Sequence, residues 1–224
     1  MTAKFLDYDA RSSLSRELHK MQPYYRRGRL VYAPVFKAAS SYYTNLLEHN
    51  GWEPIMYTDV NWDHDHVFGF IMDPIKRYFK GLAQDLSGNI IDGEKFIEAN
   101  EERIVTDTHF LLYSYHTLPI SVTHSDHYSY IDWIPLDSDT HATVYLEQLL
   151  EQHDIKLDIP EKIHYHPSTD KKVELYEWTR ELWRDNNVLL LHLLKDDIEL
   201  YNKVMRRFTP LRDPGNWNKT SWLR

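Results

Sequence analysis

A lysine followed by small residues and two serines is the stretch of this chain best suited to chemistry. It reads Lys37, Ala38, Ala39, Ser40 and Ser41, and it separates an apolar, β-prone run from a helical pattern. A helix N-terminus presents unpaired N–H groups and the positive end of the helix dipole. Because one cation and two hydroxyls lie beside this helix N-terminus, the pattern predicts a binding site for a phosphate-like anion. The glycines and the closing Gly-Lys-Ser/Thr of a Walker loop are absent from this stretch.

A second strand–turn–helix unit follows the first. Residues 66–72 form a mostly apolar run, typical of a strand buried on both faces. Asp73 and Pro74 then supply a favoured N-cap and a favoured first helical residue for a helix over 75–86. That helix carries three cations, Lys76, Arg77 and Lys80. Because ligands of open α/β sheets bind at the carboxyl edge of the strands, both units place cations where a ligand is expected.

The composition predicts one folded domain. A chain of 224 residues can bury one sizeable core, and we divide it into an N-terminal extension (1–28), a main domain and a C-terminal arm (208–224). The net charge of −8 disfavours nucleic acid as a partner, and the absence of cysteine excludes disulfides, thiol nucleophiles and cysteine zinc sites. No apolar run reaches the ~20 residues of a membrane span, and the first residues lack an apolar signal segment. We therefore expect a cytoplasmic protein with no membrane partner, and a homo-oligomer stays open.

The remaining patterns favour a single α/β domain with a central, mainly parallel sheet and helices on both faces. Gly51 marks the end of the first helix, and the basic cluster at 26–29 is typical of solvated surface. Further strands are predicted at 120–123, 130–134 and 143–146. Further helices are predicted at 13–21, 94–107, 147–153 and, as a pair broken near 185–187, within 172–207.

Taken in their order and spacing, these motifs resemble the sulfotransferases that use 3′-phosphoadenosine 5′-phosphosulfate (PAPS), in particular the carbohydrate-type branch of Golgi enzymes and bacterial and phage relatives. The likeness covers roughly residues 30–204. It comprises five segments: Pro34 to Ser41, Met72 to Lys80, Asp107-Thr108-His109, Tyr130 to Leu149, and His164 to the Asp-x-x-Leu-Tyr ending at Tyr201.

The resemblance implies a three-layer, P-loop-like fold and a cofactor site built from both units. Lys37 would contact the phosphosulfate. The 5′-phosphate would be held by the five residues that follow: Ala38, Ala39, Ser40, Ser41 and Tyr42. Arg77 and Lys80 would serve the 3′-phosphate of PAPS and of its product, 3′-phosphoadenosine 5′-phosphate. Two positions depart from the family pattern, because Met72 replaces an arginine and Lys80 replaces a serine.

Sulfuryl transfer to a hydroxyl needs a general base. By resemblance His109 matches the family's Asp-x-His segment, and His124 and His127 are the next candidates. Glu48 and Glu53 are carboxylate alternatives. The quartet from Asp63 to His66 has spacing like that of metal ligands, but we interpret it as a solvated loop and predict no metal, since this chemistry requires none.

The predicted function is transfer of the sulfuryl group of PAPS to an acceptor hydroxyl, on a saccharide or another small molecule. The aromatic stretches 52–62 and 113–133 are candidates for stacking on sugar rings. Two alternatives stay open. One is a non-catalytic relative that keeps the fold as a binding or assembly module, which Met72 favours. The other is a kinase on a similar sheet, which the missing Walker loop disfavours.

Overall fold

The computed structural model describes residues 22–87, 117, 119–124, 127–136, 139–163, 169–182 and 188–208. Its strands are β1 (Tyr24–Arg27), β2 (Leu30–Tyr32), β3 (Glu53–Ile55), β4 (His66–Ile71) and β5 (Asp132–Pro135). Its helices are α1 (Ser40–His49), α2 (Pro74–Ser87), α3 (Ile120–Thr123), α4 (Asp139–Glu151), α5 (Asp170–Leu182), α6 (Val188–Leu193) and α7 (Lys195–Phe208), with a 3-10 turn at Tyr57–Asp59. The predicted helices at 13–21 and 94–107 lie outside the described residues.

The strands form one mixed sheet in the order β3-β1-β2-β4-β5. β2 and β4 are parallel, as are β4 and β5, whereas β1 runs antiparallel to both β2 and β3. The α/β class is therefore confirmed, and the sheet is parallel only in its β2-β4-β5 part. Among the described residues, none of the helices has the length and apolarity needed to cross a membrane.

β1 and β2 form a hairpin, and only its first strand lies within the predicted N-terminal extension (1–28). Its two-residue turn begins with Gly28, whose φ of 63° is readily adopted by glycine. The arginines around this turn form ion pairs and hydrogen bonds with neighbouring loops. Arg26 pairs with Asp65, and Arg29 donates to the carbonyl of His64 at 2.5 Å. The basic cluster at 26–29, which the sequence suggested was solvated surface, therefore also makes structural contacts.

The start of α2 and the end of α1 have the caps that the sequence predicts. The Asp73 carboxylate accepts the backbone N–H of Lys76 at 2.9 Å and so caps α2. α1 ends in a Schellman turn, in which Gly51 has φ 74° and its N–H donates to the carbonyl of Glu48, while the N–H of Trp52 donates to that of Leu47.

Two predicted strands are helical instead. Residues 120–123 form a helical turn, because the carboxylate of Asp197 accepts the N–H groups of Ile120 and Ser121 at 2.7 and 2.8 Å. Residues 143–146 lie inside α4. A four-residue apolar run does not separate strand from helix, and the helical spacing of the buried side chains decides the matter. Those side chains are Ala142, Leu146, Leu149 and Leu150.

β4 is buried on both faces, as its apolar sequence predicts. Its side chains from Val67 to Ile71 are all buried. Gly69 is required there because a Cβ at this position would lie 2.8 Å from the ring of Trp133 and 3.0 Å from the carbonyl of Ala33. On the Phe68 and Phe70 side of the strand, Tyr43 of α1 stacks on Phe70 with 3.6 Å between ring centroids.

Tyr32 lies in this aromatic layer with its hydroxyl buried. Its ring contacts Phe68 and Phe70, and within the described part of the chain its hydroxyl has no hydrogen-bond partner. Burial, together with the nearby Tyr43 and Tyr25, raises the pKa of Tyr32 well above its ordinary value. The neighbouring Tyr25 hydroxyl, by contrast, hydrogen-bonds to side chains of α1.

An ion pair between Arg77 and Asp197 joins three helical elements. Both side chains are buried, at 2% and 0% exposure, and their closest charged atoms are 3.5 Å apart. Arg77 belongs to α2, Asp197 to α7, and the same carboxylate caps α3. Burial lowers the pKa of Arg77, and the charge of Asp197 opposes that shift.

We predict that Asp197→Asn lowers the free energy of unfolding by about 3–5 kcal/mol, because it removes the negative charge that faces the buried Arg77 guanidinium. Urea denaturation measures the change. The matched control is Asp196→Asn, an exposed neighbour in the same helical turn, which should change stability by less than about 0.5 kcal/mol. Equal stability of the two variants would contradict a structural role for the pair.

We predict that Tyr32→Phe raises the free energy of unfolding by about 1 kcal/mol, because it removes a buried hydroxyl without a partner. The control Tyr25→Phe should lose stability, since it removes hydrogen bonds to Glu48 and Thr44. The pKa of Tyr32 is raised in the folded state, so the wild type loses stability as pH rises above about 10, where the unfolded chain ionises first. The advantage of Tyr32→Phe should therefore grow with alkaline pH.

Candidate functional site

The loop between β2 and α1 leaves the sheet at its carboxyl edge. β2 ends at Tyr32, the N–H of Ala33 still donates to the carbonyl of Phe68 at 2.8 Å, and Pro34 has no N–H with which to continue the ladder. A turn follows in which the N–H of Ala38 donates to the carbonyl of Val35 at 3.1 Å. The chain is thereby bent sharply before α1 begins.

Two residues of this loop have a left-handed backbone. Lys37 has φ 62° and Ala39 has φ 53°, values that side chains with a Cβ rarely adopt. Ala39 is directly followed by the right-handed helical backbone of Ser40. Such an alternation points successive N–H groups into one concavity, which is the geometry of anion-binding nests. The strain at Lys37 and Ala39 is of the kind that clusters at ligand-binding sites.

The first turn of α1 presents its N–H groups without a side-chain cap. Ala39 occupies the N-cap position, and its methyl side chain cannot accept a hydrogen bond there. Ser40 and Ser41 are therefore the first two helical residues and are not caps. Their hydroxyls, half-buried and exposed respectively, lie beside the positive end of the helix dipole. Tyr42, also half-buried, completes the predicted segment.

Lys37 reaches across to the second unit. Its Nζ donates to Oε1 of Gln84 on α2 at 2.9 Å. β2 and β4 are parallel neighbours, so the loops that follow them lie at the same edge of the sheet. Lys80 lies one helical turn before Gln84 and its side chain is exposed. The structure thus brings Lys37, the start of α1 and the Lys80–Gln84 part of α2 to one edge.

Two further residues of the second unit, Met72 and Arg77, lie in the interior. Met72 is 6% exposed, and Arg77 is committed to the buried pair with Asp197. In this arrangement Arg77 does not share a surface with Lys37. No pattern in the sequence links Arg77 to an acid 120 residues further along, so sequence reasoning missed this role. Gln84 was missed as well, because a glutamine on an exposed helix turn carries no motif.

The candidate bases differ in accessibility. His109 lies outside the described residues. His124 is 5% exposed, and its Nδ1 lies 2.9 Å from the hydroxyl of Thr123. His127 is half-buried, and its Nδ1 lies 2.5 Å from the Tyr57 hydroxyl. Of the two candidate histidine bases that the structure describes, His127 is the one that solvent and an acceptor can reach.

The structure brings the two aromatic stretches together around His127. Its ring stacks on Trp62, with 3.9 Å between centroids and 10° between planes. Tyr57 packs edge-on against the buried Tyr24 at 5.8 Å. Tyr130, 67% exposed, lies 6.0 Å from the His127 ring. Residues from both 52–62 and 113–133 therefore contribute to one partly exposed aromatic surface.

We predict that Ala39→Gly raises the free energy of unfolding by about 0.5–1 kcal/mol, because glycine adopts a positive φ without the steric cost that alanine incurs. The control is Ala38→Gly, one residue earlier, where a fully buried methyl group is lost. That variant should be destabilised. Thermal unfolding compares the two, and a destabilised Ala39→Gly would contradict the strain inferred for this loop.

Comparison of the chain with protein-family models, with curated proteins and with solved structures finds no match in any of the three.

Proposed function

We propose that this protein binds PAPS at the carboxyl edge of its sheet and transfers the sulfuryl group to an acceptor hydroxyl. The preferred acceptor is a saccharide. The observation that carries the proposal is the contact between Lys37 Nζ and Gln84 Oε1. It joins the strained loop before α1 to the helix that follows the adjacent parallel strand. A nucleotide with phosphate groups at both its 5′ and 3′ positions needs two such anchoring points side by side.

In the proposed reaction, the acceptor oxygen attacks the sulfur in line with the bond to the 5′-phosphate. That sulfur–oxygen bond breaks, and its electron pair leaves with 3′-phosphoadenosine 5′-phosphate. Lys37 would stabilise the negative charge that develops on the bridging oxygen, and N–H groups of the α1 N-terminus would hold the 5′-phosphate. Positioning and charge stabilisation supply most of the catalysis, as in phosphoryl transfer.

A histidine would take the proton of the acceptor hydroxyl. His127 is a candidate because the Tyr57 hydroxyl and the Trp62 ring fix its orientation. The exposed ring of Tyr130 beside it offers an apolar face for a sugar. His109, which matches the family segment, remains the other candidate. That the acceptor hydroxyl belongs to a saccharide, and that the protein is cytoplasmic, are both predictions from the sequence.

A second candidate function is a binding or assembly module that does not catalyse transfer. The burial of Met72 and the pairing of Arg77 with Asp197 favour it, because neither residue presents a cation to a 3′-phosphate. Lys80, an exposed cation on the same helical face as Gln84, could take this role. The two functions therefore differ in whether the protein binds 3′-phosphoadenosine 5′-phosphate.

We predict that Lys37→Ala lowers the affinity for 3′-phosphoadenosine 5′-phosphate about tenfold to hundredfold, since a hydrogen bond to a charged group contributes about 1.5–3 kcal/mol. Sulfuryl transfer from labelled PAPS to a saccharide panel should fall below detection. Isothermal calorimetry and the transfer assay measure the two effects, and circular dichroism verifies the fold.

The matched control is Lys156→Ala, an exposed lysine beyond α4 and outside both units, which should leave both quantities unchanged. Unaltered turnover in Lys37→Ala would rule out the role of Lys37. If the wild type shows no binding heat at millimolar nucleotide, the binding or assembly module is the better account.

A further inference from the structure

A pair of histidines, His66 and His153, lies at the opposite end of the parallel strands from the candidate site. His66 is the first residue of β4, and His153 lies in the turn that ends α4. Nδ1 of His66 and Nε2 of His153 are 3.3 Å apart. Two imidazole nitrogens bound to one tetrahedral zinc ion, each at about 2.0–2.1 Å, are separated by about 3.3–3.4 Å.

The backbone on both sides holds this histidine pair in place. The N–H of His66 donates to the carbonyl of Arg29 at 2.8 Å. After α4, the N–H of Asp154 donates to the carbonyl of Glu151, and the N–H of Ile155 donates to that of Leu150. These are the two bonds of a Schellman turn, with φ 58° at Asp154. Both rings therefore project from fixed backbone.

A carboxylate lies near the far side of one ring. Nε2 of His66 lies 3.5 Å from Oδ2 of Asp132, and the other oxygen of Asp132 is 3.4 Å from the Arg207 guanidinium. Metal-bound histidines commonly donate their second ring N–H to a carboxylate, which fixes the tautomer and raises the basicity of the ligating nitrogen. Here this arrangement leaves Nδ1 of His66 as the nitrogen that faces His153.

We propose that His66 Nδ1 and His153 Nε2 bind one divalent transition-metal ion, such as Zn²⁺, with water completing its coordination. Within the described residues, no group of three or more potential ligands is placed to hold a metal, so the protein supplies two. The ion would tie the end of α4 to the start of β4. Neither histidine belongs to the site proposed for PAPS.

The charges around the pair set the expected strength and selectivity. Arg29 and Asp154 are the charged side chains that act on His153, and Arg207 is paired with the Asp132 carboxylate beside His66. The two arginines repel a dication, and the two carboxylates attract it. The site should therefore bind more weakly than a closed four-ligand zinc site. Imidazole nitrogen favours Zn²⁺, Ni²⁺ and Cu²⁺ over Mg²⁺, which prefers oxygen.

The test is a titration of tag-free protein with Zn²⁺ in competition with a chromophoric chelator. His153→Ala should lose one equivalent of bound Zn²⁺ relative to the wild type, and Asp132→Asn should weaken that equivalent about tenfold. The control His49→Ala, an exposed histidine paired with Asp158, should bind as the wild type does. Mg²⁺ should not compete.

A thermal scan gives a second readout, because an ion that binds only the folded chain raises its melting temperature. Zn²⁺ should raise that temperature in the wild type and in His49→Ala, with a smaller effect in His153→Ala. Identical stoichiometry and identical thermal response in the wild type and His153→Ala would overturn the proposal, and the two rings would then share only a hydrogen bond.

Discussion

The buried pair of Arg77 and Asp197 is the interaction on which the arrangement of the helices depends. Removing two charges from water is costly, and the pair is stable because the Asp197 carboxylate also accepts two backbone N–H groups of α3. One carboxylate thus fixes α2 against α3 and α7. α2 carries Lys80 and Gln84, so the position of the candidate site also depends on this pair.

The second constraint is the parallel alignment of β2 with β4. Because the two strands point the same way, the loop at Lys37 and the start of α2 emerge at one edge. The left-handed backbone at Lys37 and Ala39 then turns the α1 N-terminus toward that edge. A strained loop costs stability, and the packing of Tyr43 on Phe70 beneath it holds α1 in place. The packing beneath the loop therefore offsets the cost of the strained backbone at the site.

The sequence predicts the elements around the two anchoring loops well, since caps and apolar runs are local signals. Asp73, Gly51 and the buried run of β4 have the structural roles that their types indicate. The prediction fails at 120–123 and 143–146, where a distant carboxylate and a helical set of buried residues override a short apolar run. Long-range contacts also explain why sequence patterns do not reveal the pairing of Arg77 with Asp197 or the contact of Lys37 with Gln84. A contact between residues far apart in the chain cannot be predicted from the local sequence around either residue.

The central claim is that the loop at Lys37 and the start of α1 hold the 5′-phosphate of a nucleotide. A crystal structure with 3′-phosphoadenosine 5′-phosphate tests it most directly. The account predicts the 5′-phosphate at the N-terminus of α1, with Lys37 Nζ moved from Gln84 to a phosphate oxygen, and the 3′-phosphate near Lys80. A nucleotide bound elsewhere, or Lys37 still on Gln84 with no nucleotide at this edge, would contradict it.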